Sequence, residues 1–193
     1  MGHVAVGVAE SAAGDLAVAA DPFATAAAFD AWYDAALPRV FRYVYGRCGH
    51  DRDLAEDLTQ QAFVEALRGR ASFDYRSDPV TWVCSIARHR LADHFRRLDA
   101  EERRNLRLVE LESVTPRDPD PADIAERDAI QAALASLPAL QRAVLVFIAL
   151  DGLTVREASV LLDRSESATE SLLHRARAAF RRAYALSGGR DDG

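Results

Sequence analysis

The sequence predicts an all-α protein of two small helical domains, a three-to-four-helix bundle and a helix-turn-helix domain, joined by a flexible acidic linker. Apolar residues recur at helical spacing in residues 23–98 and again in residues 124–187. Prolines and acidic side chains fill the segment between them, 99–123, which we read as the linker, with a helical start as one option. Close to the C-terminus, two helical patterns are separated by a short polar break, which is typical of a helix-turn-helix.

The first predicted domain contains three helices. Pro38 interrupts the first of them, and Gly46 ends it. The second helix carries an apolar stripe on one face and closes at Gly69. A third helix is expected from about Asp78 to Leu98, apolar towards the bundle and mostly basic on the opposite arc.

The second predicted domain is marked by local start and stop signals. Asp151 and Gly152 stop one helix, and the next begins with Thr154 and Glu157 at the spacing of a capping box. Asp163 then breaks the chain before a last helix, which begins near Ser165. The two terminal segments, 1–22 and 188–193, are expected to be disordered tails.

The charge of the chain is unevenly distributed. The net charge is −6, and every basic residue is arginine because the sequence contains no lysine. Much of the acidic excess lies in the N-terminal tail and the linker, whereas the helical domains are nearly balanced. The acidic total therefore says little about the working surface of either domain.

Several classes of protein are disfavoured. Cys48 and Cys84 form no CxxC pair, no set of residues has metal-ligand spacing, and no glycine-rich phosphate loop or nucleophile elbow is present. We therefore expect no cofactor, no metal and no enzymatic activity. No apolar run has the length of a membrane span and no secretion signal precedes the first domain, so we expect a reduced, cytoplasmic protein without membrane insertion.

Three surfaces are candidates for binding. The basic arc of the third helix follows an aromatic loop, a combination that suits melted or single-stranded DNA. The polar edge of the second helix could dock a partner helix, and the helix-turn-helix could bind duplex DNA. Each has a plainer interpretation: a solvated basic face with Phe73 and Tyr75 in the core, an ordinary amphipathic helix, and a helical pair without DNA contacts.

The order of these features resembles the extracytoplasmic-function sigma factors of bacterial RNA polymerase. Residues 29–97 resemble the second conserved region of that family, through the run Ala55-Glu56-Asp57-Leu58-Thr59-Gln60-Gln61-Ala62-Phe63 and the later runs Thr81-Trp82-Val83, Ile86-Ala87-Arg88 and Asp93-His94-Phe95-Arg96-Arg97. Residues 137–177 resemble the fourth region, through Leu137-Pro138, Gln141-Arg142, Gly152-Leu153-Thr154, Glu157 and Leu173-His174-Arg175-Ala176-Arg177.

The resemblance implies partners and site residues. The partners are core RNA polymerase, promoter DNA and an anti-sigma factor. The polymerase-binding residues would be Asp53, Glu56, Asp57, Gln60, Gln61 and Phe63. The −10 element would be opened and read, with one base extruded, by Phe73, Tyr75, Arg76, Trp82, Arg88, His89, Arg90, Arg96 and Arg97. The −35 element would be read by Arg164, Ser165, Ser167, Ala168, Glu170, Ser171, His174 and Arg175.

The sequence departs from the family in the recognition helix. Asp163 stands where a turn glycine is usual, and an arginine common in the preceding helix is Ile148. Glu170 and Leu172 stand where Lys and Arg are usual, which predicts a weak or unusual −35 reader. Glu170 has an alternative role, because Ser167 lies three residues before it and the two could form a helix cap.

Two other functions remain open. A helix-turn-helix regulator could bind DNA without polymerase, although the polar second helix argues against it. A sigma-like interaction protein could have lost promoter binding, which the altered recognition helix would explain.

Overall fold

A computed structural model describes residues 21–105 and 123–186, and within these ranges the chain is helical without a β-strand, which confirms the all-α class. The helices are α1 (Ala26–Tyr45), α2 (Arg52–Gly69), α3 (Pro79–Asn105), α4 (Asp123–Ala135), α5 (Ala139–Leu145), α6 (Val155–Leu161) and α7 (Glu166–Leu186), with a 3-10 turn (Arg70–Ser72) after α2 and a π-helical turn (Val146–Leu150) after α5. Residues 1–20 of the predicted N-terminal tail, the predicted C-terminal tail 188–193 with residue 187 before it, and linker residues 106–122 lie outside the described residues. No described helix is long and apolar enough to cross a membrane.

The three helices of the first unit start at side-chain caps. Thr25 accepts a hydrogen bond from the Ala28 amide (3.1 Å) before α1, and Asp51 accepts one from the Leu54 amide (3.0 Å) before α2. Asp78 does the same at the start of α3. These caps satisfy amides that have no partner inside the helix, so each helix begins where the sequence places a Thr or Asp.

Pro38 does not interrupt α1, contrary to the sequence prediction. The helix runs through it without a break to Tyr45. Pro38 is exposed, so water can reach the carbonyl that loses its amide partner. Val40 and Val44 are fully buried on the opposite side, and their packing holds the helix together.

The third helix is longer than the sequence predicted. It continues past Leu98 to Asn105, so residues 99–105, at the start of the predicted linker, are helical, as the sequence allowed. Asp99 pairs with Arg103 one turn later (3.0 Å), and such pairs support an exposed helix end. The Glu102 carboxylate also accepts a hydrogen bond from the Ala139 amide (3.1 Å), which attaches this extension to the start of α5.

The second unit consists of α4 to α7. Helices α4, α5 and α6 each pack against α7, whose buried stripe contains Thr169, Leu172, Leu173 and Ala176. The stop predicted at Gly152 is confirmed by its positive φ of 67°, a conformation that glycine adopts without steric cost.

The two units pack against each other along α3 and α5, and their buried residues form one continuous core. We call this contact the seam. Phe95 of α3 meets Phe147 edge-on, with ring centroids 6.3 Å apart, and both side chains are almost fully buried. At one end of the seam, Asp151 accepts hydrogen bonds from Arg47 and Tyr43 of the first unit. No local pattern in the sequence indicates this contact.

Candidate nucleic-acid and partner interfaces

The polar edge of α2 faces solvent. Its exposed members are the predicted polymerase-binding residues Asp53, Glu56, Asp57, Gln60 and Gln61. Gln61 donates a hydrogen bond to the Asp57 carboxylate (2.7 Å), and Arg52 pairs with Glu56 (2.9 Å). Both pairs lie one turn apart on the helix surface, so they order the edge without burying it.

Phe63, from the same predicted set, lies in the core. Its side chain is 4% exposed and packs edge-on against Tyr33, with ring centroids 4.7 Å apart, and against Trp32 at 5.8 Å. Phe63 therefore packs α2 against α1, and its side chain is not available for a surface contact.

A groove of about 370 Å³ runs between α1 and α2 beside this edge. Leu37 and Phe41 supply apolar walls, and Glu56 and Gln60 stand at its border. Thr59 also lines it, and its buried hydroxyl has no hydrogen-bond partner among the described residues. The groove thus combines an apolar floor with an unsatisfied polar atom, features suited to receiving a side chain from a partner.

The loop before α3 gathers aromatic rings. Phe73 is 5% exposed and stacks on the half-buried Trp82, with ring centroids 4.8 Å apart. Phe23 closes the cluster from the N-terminal side, edge-on to both rings. Phe23 begins the first predicted domain, and no local signal in the sequence links it to a loop fifty residues later.

Tyr75 is the outermost ring of this cluster. It is 56% exposed, lies 4.7 Å from Phe73, and has a positive φ of 57°. That conformation costs a non-glycine residue about 1–2 kcal/mol, and such strain concentrates at binding sites. A hydrogen bond with the Asp21 carboxylate raises the pKa of the Tyr75 phenol, which therefore stays neutral and offers a ring face for stacking. Arg76 beside it is exposed.

The basic arc of α3 is held by acidic side chains. Glu65 of α2 receives two hydrogen bonds from Arg90, at 2.7 and 2.9 Å, in a forked pairing. Asp93 accepts from Arg90 (3.1 Å) and also pairs closely with Arg96. The sequence did not reveal Glu65, because its partner is on another helix.

The remaining residues of this arc differ in exposure. Arg97 and His89 are exposed, and Arg97 has no ion-pair partner in the part of the chain that the structure describes. A groove of about 470 Å³ is lined by Arg90, Asp93, Arg96 and Arg97. Arg88 is half-buried, and its Nε atom has no hydrogen-bond partner within the described ranges. Arg88 is therefore less accessible than Arg97 and His89.

The helix-turn-helix is formed by α6 and α7. The predicted capping box is confirmed: the Thr154 hydroxyl accepts from the Glu157 amide (3.2 Å), and the Glu157 carboxylate accepts from the Thr154 amide (2.8 Å). These hydrogen bonds lower the pKa of the Glu157 carboxyl. Asp163 occupies the left-handed turn position with a φ of 52°, which Asp tolerates better than most residues.

The cap of α7 is Ser165, not Ser167. The Ser165 hydroxyl accepts a hydrogen bond from the Ala168 amide (3.2 Å), and the helix begins at Glu166. A cap formed by Ser167 with Glu170 is therefore excluded, because both residues lie inside the helix.

The outer face of α7 carries the predicted −35 residues. The exposed ones are Ser165, Ser167, Glu170, Ser171, His174 and Arg175, and the half-buried ones are Arg164 and Ala168. Glu166 and Glu170 make the first turns of α7 acidic. Glu166 Oε1 also lies 3.8 Å from Arg156 Nε of α6, within ion-pair distance. Leu172 is 5% exposed and faces the core, so it is not positioned to contact DNA.

Burial shifts the pKa of one histidine and of both cysteines. Burial and the neighbouring guanidinium groups of Arg97 and Arg142 lower the pKa of His94. Burial raises the pKa of the Cys48 thiol to about 11, and it also raises that of Cys84. Within the described residues, no three His, Cys, Asp or Glu side chains come together as a metal site.

Comparison with known proteins matches both units. The family description Sigma-70 region 2 matches residues 32–101, and Sigma-70, region 4 matches residues 127–180. The chain is 33% identical over 154 residues to the ECF RNA polymerase sigma factor BldN of Streptomyces coelicolor, covering 77% of this chain and 57% of the relative.

Other relatives are covered more completely. The identity is 31% to the ECF sigma factor SigX of Bacillus subtilis, across 65% of this chain and 68% of that one. It is 30% to the ECF sigma factor SigC of Mycobacterium tuberculosis, across 79% and 81%. The solved structure of the sigma factor RpoE from Bartonella quintana, determined in complex with the anti-sigma factor NepR, shares the fold with a TM-score of 0.51 at 22% identity, covering 80% of this chain and 95% of that one.

Proposed function

Because this chain belongs to the extracytoplasmic-function sigma factors of the sigma-70 family, we propose that it binds core RNA polymerase and directs promoter recognition, DNA melting and transcription initiation. The observation that carries the proposal is the presence of both regions in family order, each with an exposed binding surface. RNA synthesis itself would belong to the polymerase, and this chain would supply specificity.

The polar edge of α2 is the proposed polymerase contact. Asp57 is exposed, and its only partner among the described residues is Gln61 of the same helix, so its carboxylate can accept hydrogen bonds from a partner. The groove beside it would receive an apolar side chain, and Thr59 would supply a hydrogen bond at its wall.

The aromatic loop and the basic arc are the proposed −10 surface. Tyr75 offers an exposed ring to an unstacked base, and base–aromatic stacking contributes about 1–3 kcal/mol per base. Arg97 would contact phosphate directly. Arg90 and Arg96, held by carboxylates, would keep a fixed orientation along the backbone.

The outer face of α7 is the proposed −35 surface, and its acidic first turns favour a weak or atypical reader. An anti-sigma factor is a further proposed partner, since the sigma factor RpoE that shares this fold was solved bound to one. If the acidic helix has lost DNA binding altogether, the chain would instead be a sigma-like interaction protein.

The decisive test compares the variant Asp57→Arg with the control variant Asp34→Arg. Asp34 is an exposed acidic residue on α1, so the control undergoes the same change of charge away from the proposed contact. Truncating one partner of a buried charged contact costs about 2–5 kcal/mol, so Asp57→Arg should weaken binding to core polymerase at least about 30-fold. Asp34→Arg should bind like the wild type. Equal affinities for all three proteins would reject the docking assignment.

A run-off transcription assay separates the candidate functions. A sigma factor supports promoter-dependent transcripts when it is added to core polymerase. A helix-turn-helix regulator would bind DNA without binding core, and an interaction protein would bind core or an anti-sigma factor without producing transcripts.

A further inference from the structure

A short segment ahead of α1, residues 21–25, forms a turn that fixes one aromatic side chain. The Asp21 carboxylate accepts a hydrogen bond from the Phe23 amide (2.8 Å), and the Asp21 carbonyl accepts one from the Ala24 amide (3.2 Å). Pro22 between them is buried. Because an Asp side chain that bonds the backbone two residues later defines a turn, these contacts set the direction of the Phe23 ring. We call residues 21–25 the N-terminal arm.

Phe23 connects α1 with the loop that precedes α3. On one side its ring lies 5.6 Å from Trp32 and 6.2 Å from Phe29, both of α1. On the other side it lies edge-on to Phe73 of the loop (6.0 Å) and to Trp82 of α3 (5.8 Å). Aromatic rings favour edge-on contacts at these centroid separations. The N-terminal arm therefore packs against the loop through a ring whose position is set at both ends.

Tyr75, the outermost ring of the loop, has two contacts that lead back to the N-terminal arm. Its ring lies 4.7 Å from Phe73, which in turn contacts Phe23. Its hydroxyl donates a hydrogen bond to the Asp21 carboxylate, and this bond raises the pKa of the phenol. With a positive φ of 57°, Tyr75 occupies a conformation that persists only where the surrounding structure holds it. The N-terminal arm supplies part of that restraint.

A fixed ring orientation matters for the capture of an unpaired base. A base stacks on the face of an aromatic ring, and a ring that turns freely must lose that freedom when the base binds. Side chains that hold the ring in place remove this cost before the base arrives. Tyr75 is 56% exposed, so few other contacts can restrain it.

We propose that Phe23 and Asp21 are positioning residues for promoter melting, which hold Tyr75 in the orientation that receives an unpaired base of the −10 element. The consequence at the promoter rests on the proposed sigma function, whereas the contact between the N-terminal arm and Tyr75 does not. The N-terminal arm would act only through Tyr75. If Phe23 instead only filled apolar space beside Trp32, its loss would lower stability without a specific effect on an unpaired strand.

The contact itself is tested on the full chain by NMR of isotope-labelled tyrosine rings, with the Tyr75 signal assigned from Tyr75→Phe. Asp21→Asn should lower the pKa of the Tyr75 phenol towards its ordinary value, because it removes the neighbouring charge. Asp34→Asn, the same change at an exposed position of α1, should leave that pKa unchanged. Phe23→Ala should shift the Tyr75 ring signal. A Tyr75 signal and pKa that neither arm variant changes would overturn the contact.

The consequence is tested with holoenzyme, formed from core polymerase and the full chain, on a forked promoter fragment whose −10 strand is unpaired. Loss of a well-oriented stacking partner corresponds to at least about a fivefold loss of affinity, which is the weakening expected of Phe23→Ala. Binding to the same fragment truncated ahead of the −10 element should not change. Phe29→Ala is the matched control, since it removes a half-buried ring that contacts Phe23 and α1 but no ring of the loop among the described residues. It should bind the fork like the wild type.

A double-mutant cycle separates positioning from general destabilisation. If Phe23 acts through Tyr75, Phe23→Ala should weaken fork binding in the wild-type chain but cause no further loss in Tyr75→Ala. Additive losses would overturn the positioning role, as would a loss in Phe29→Ala equal to that in Phe23→Ala. If Phe23→Ala loses helical content, the same cycle is run with Asp21→Ala, which removes the hydrogen bond to Tyr75 but leaves the aromatic cluster filled.

Failure of this inference is distinguishable from failure of the proposed function. If the wild-type chain with core polymerase does not bind the fork, the sigma function is rejected, and with it the consequence at the promoter. The tyrosine signals still decide whether the N-terminal arm holds Tyr75. If the wild type binds the fork and Phe23→Ala binds it equally well, the sigma function stands and the positioning role is overturned.

Discussion

In the recognition helix α7, positions 170 and 172 lack the basic residues that are usual in other sigma factors. The structure predicts that a basic residue would have opposite effects at these two positions. Glu170 is exposed on the outer face of α7, without a hydrogen-bond partner among the described residues. Leu172 is 5% exposed and packs in the core of the second unit. Of these two positions, only 170 is exposed and therefore available to a binding partner.

Glu170→Lys should therefore strengthen binding to upstream DNA. Each phosphate neutralised steepens the slope of log K against log salt by about 0.9, so one new contact adds roughly a 3.5-fold affinity change over a fourfold change in salt. Leu172→Arg should gain nothing. It replaces a buried leucine with an unpaired charge, and we expect it to lower the free energy of unfolding by at least about 3 kcal/mol.

The assay is fluorescence anisotropy of a labelled upstream duplex with wild-type and variant holoenzymes over a range of salt, together with thermal unfolding of each chain. If Glu170→Lys shifts the preferred base at one position without changing the salt slope, Glu170 accepts a hydrogen bond from cytosine and does not act by repelling phosphate. If slope and preference both stay unchanged, α7 does not face the DNA. A stable Leu172→Arg variant would contradict the orientation of the helix.

Four further outcomes are expected. Arg97→Ala should reduce the salt slope of promoter binding by about one unit, and Arg96→Ala by less, because Arg96 is already paired within α3. Thr154→Ala should cost about 1 kcal/mol of stability, measured by urea unfolding, through loss of the α6 cap. Because the pKa of Glu157 is lowered in the fold, its stabilising contribution is present above the ordinary Glu pKa of about 4.3 and is lost as pH falls below it. The difference in melting temperature between wild type and Glu157→Gln should therefore vanish in acid. Cys48 should react with alkylating agents at pH 8 far more slowly than a free thiol, since its pKa is about 11.

Features set by neighbouring residues were predictable from the sequence. The capping box of α6, the stop at Gly152 and the left-handed conformation of Asp163 depend on a few consecutive side chains, and the structure has all three. The uninterrupted α1 was not predictable in the same way, because tolerance of Pro38 depends on which side of the helix faces water.

Features set by tertiary packing were beyond the sequence. Nothing in the order of residues brings Arg47 to Asp151, 104 positions later, or Glu65 to Arg90 on another helix. The burial of Leu172 is a different case. Its spacing from Thr169 and Ala176 marks an apolar stripe, and that periodicity was a better guide than the family's usual residue at the position.

Acidic side chains stand beside both proposed DNA surfaces, and they affect how those surfaces would meet DNA. Glu65 and Asp93 hold Arg90 and Arg96 in one orientation, which lowers the entropy lost when those arginines meet phosphate. The same carboxylates reduce the attraction of the chain for DNA in general, because fewer counterions are released per contact. We therefore expect the chain alone to bind non-specific DNA poorly. Polymerase would then supply the missing affinity by holding both surfaces at high effective concentration near the promoter.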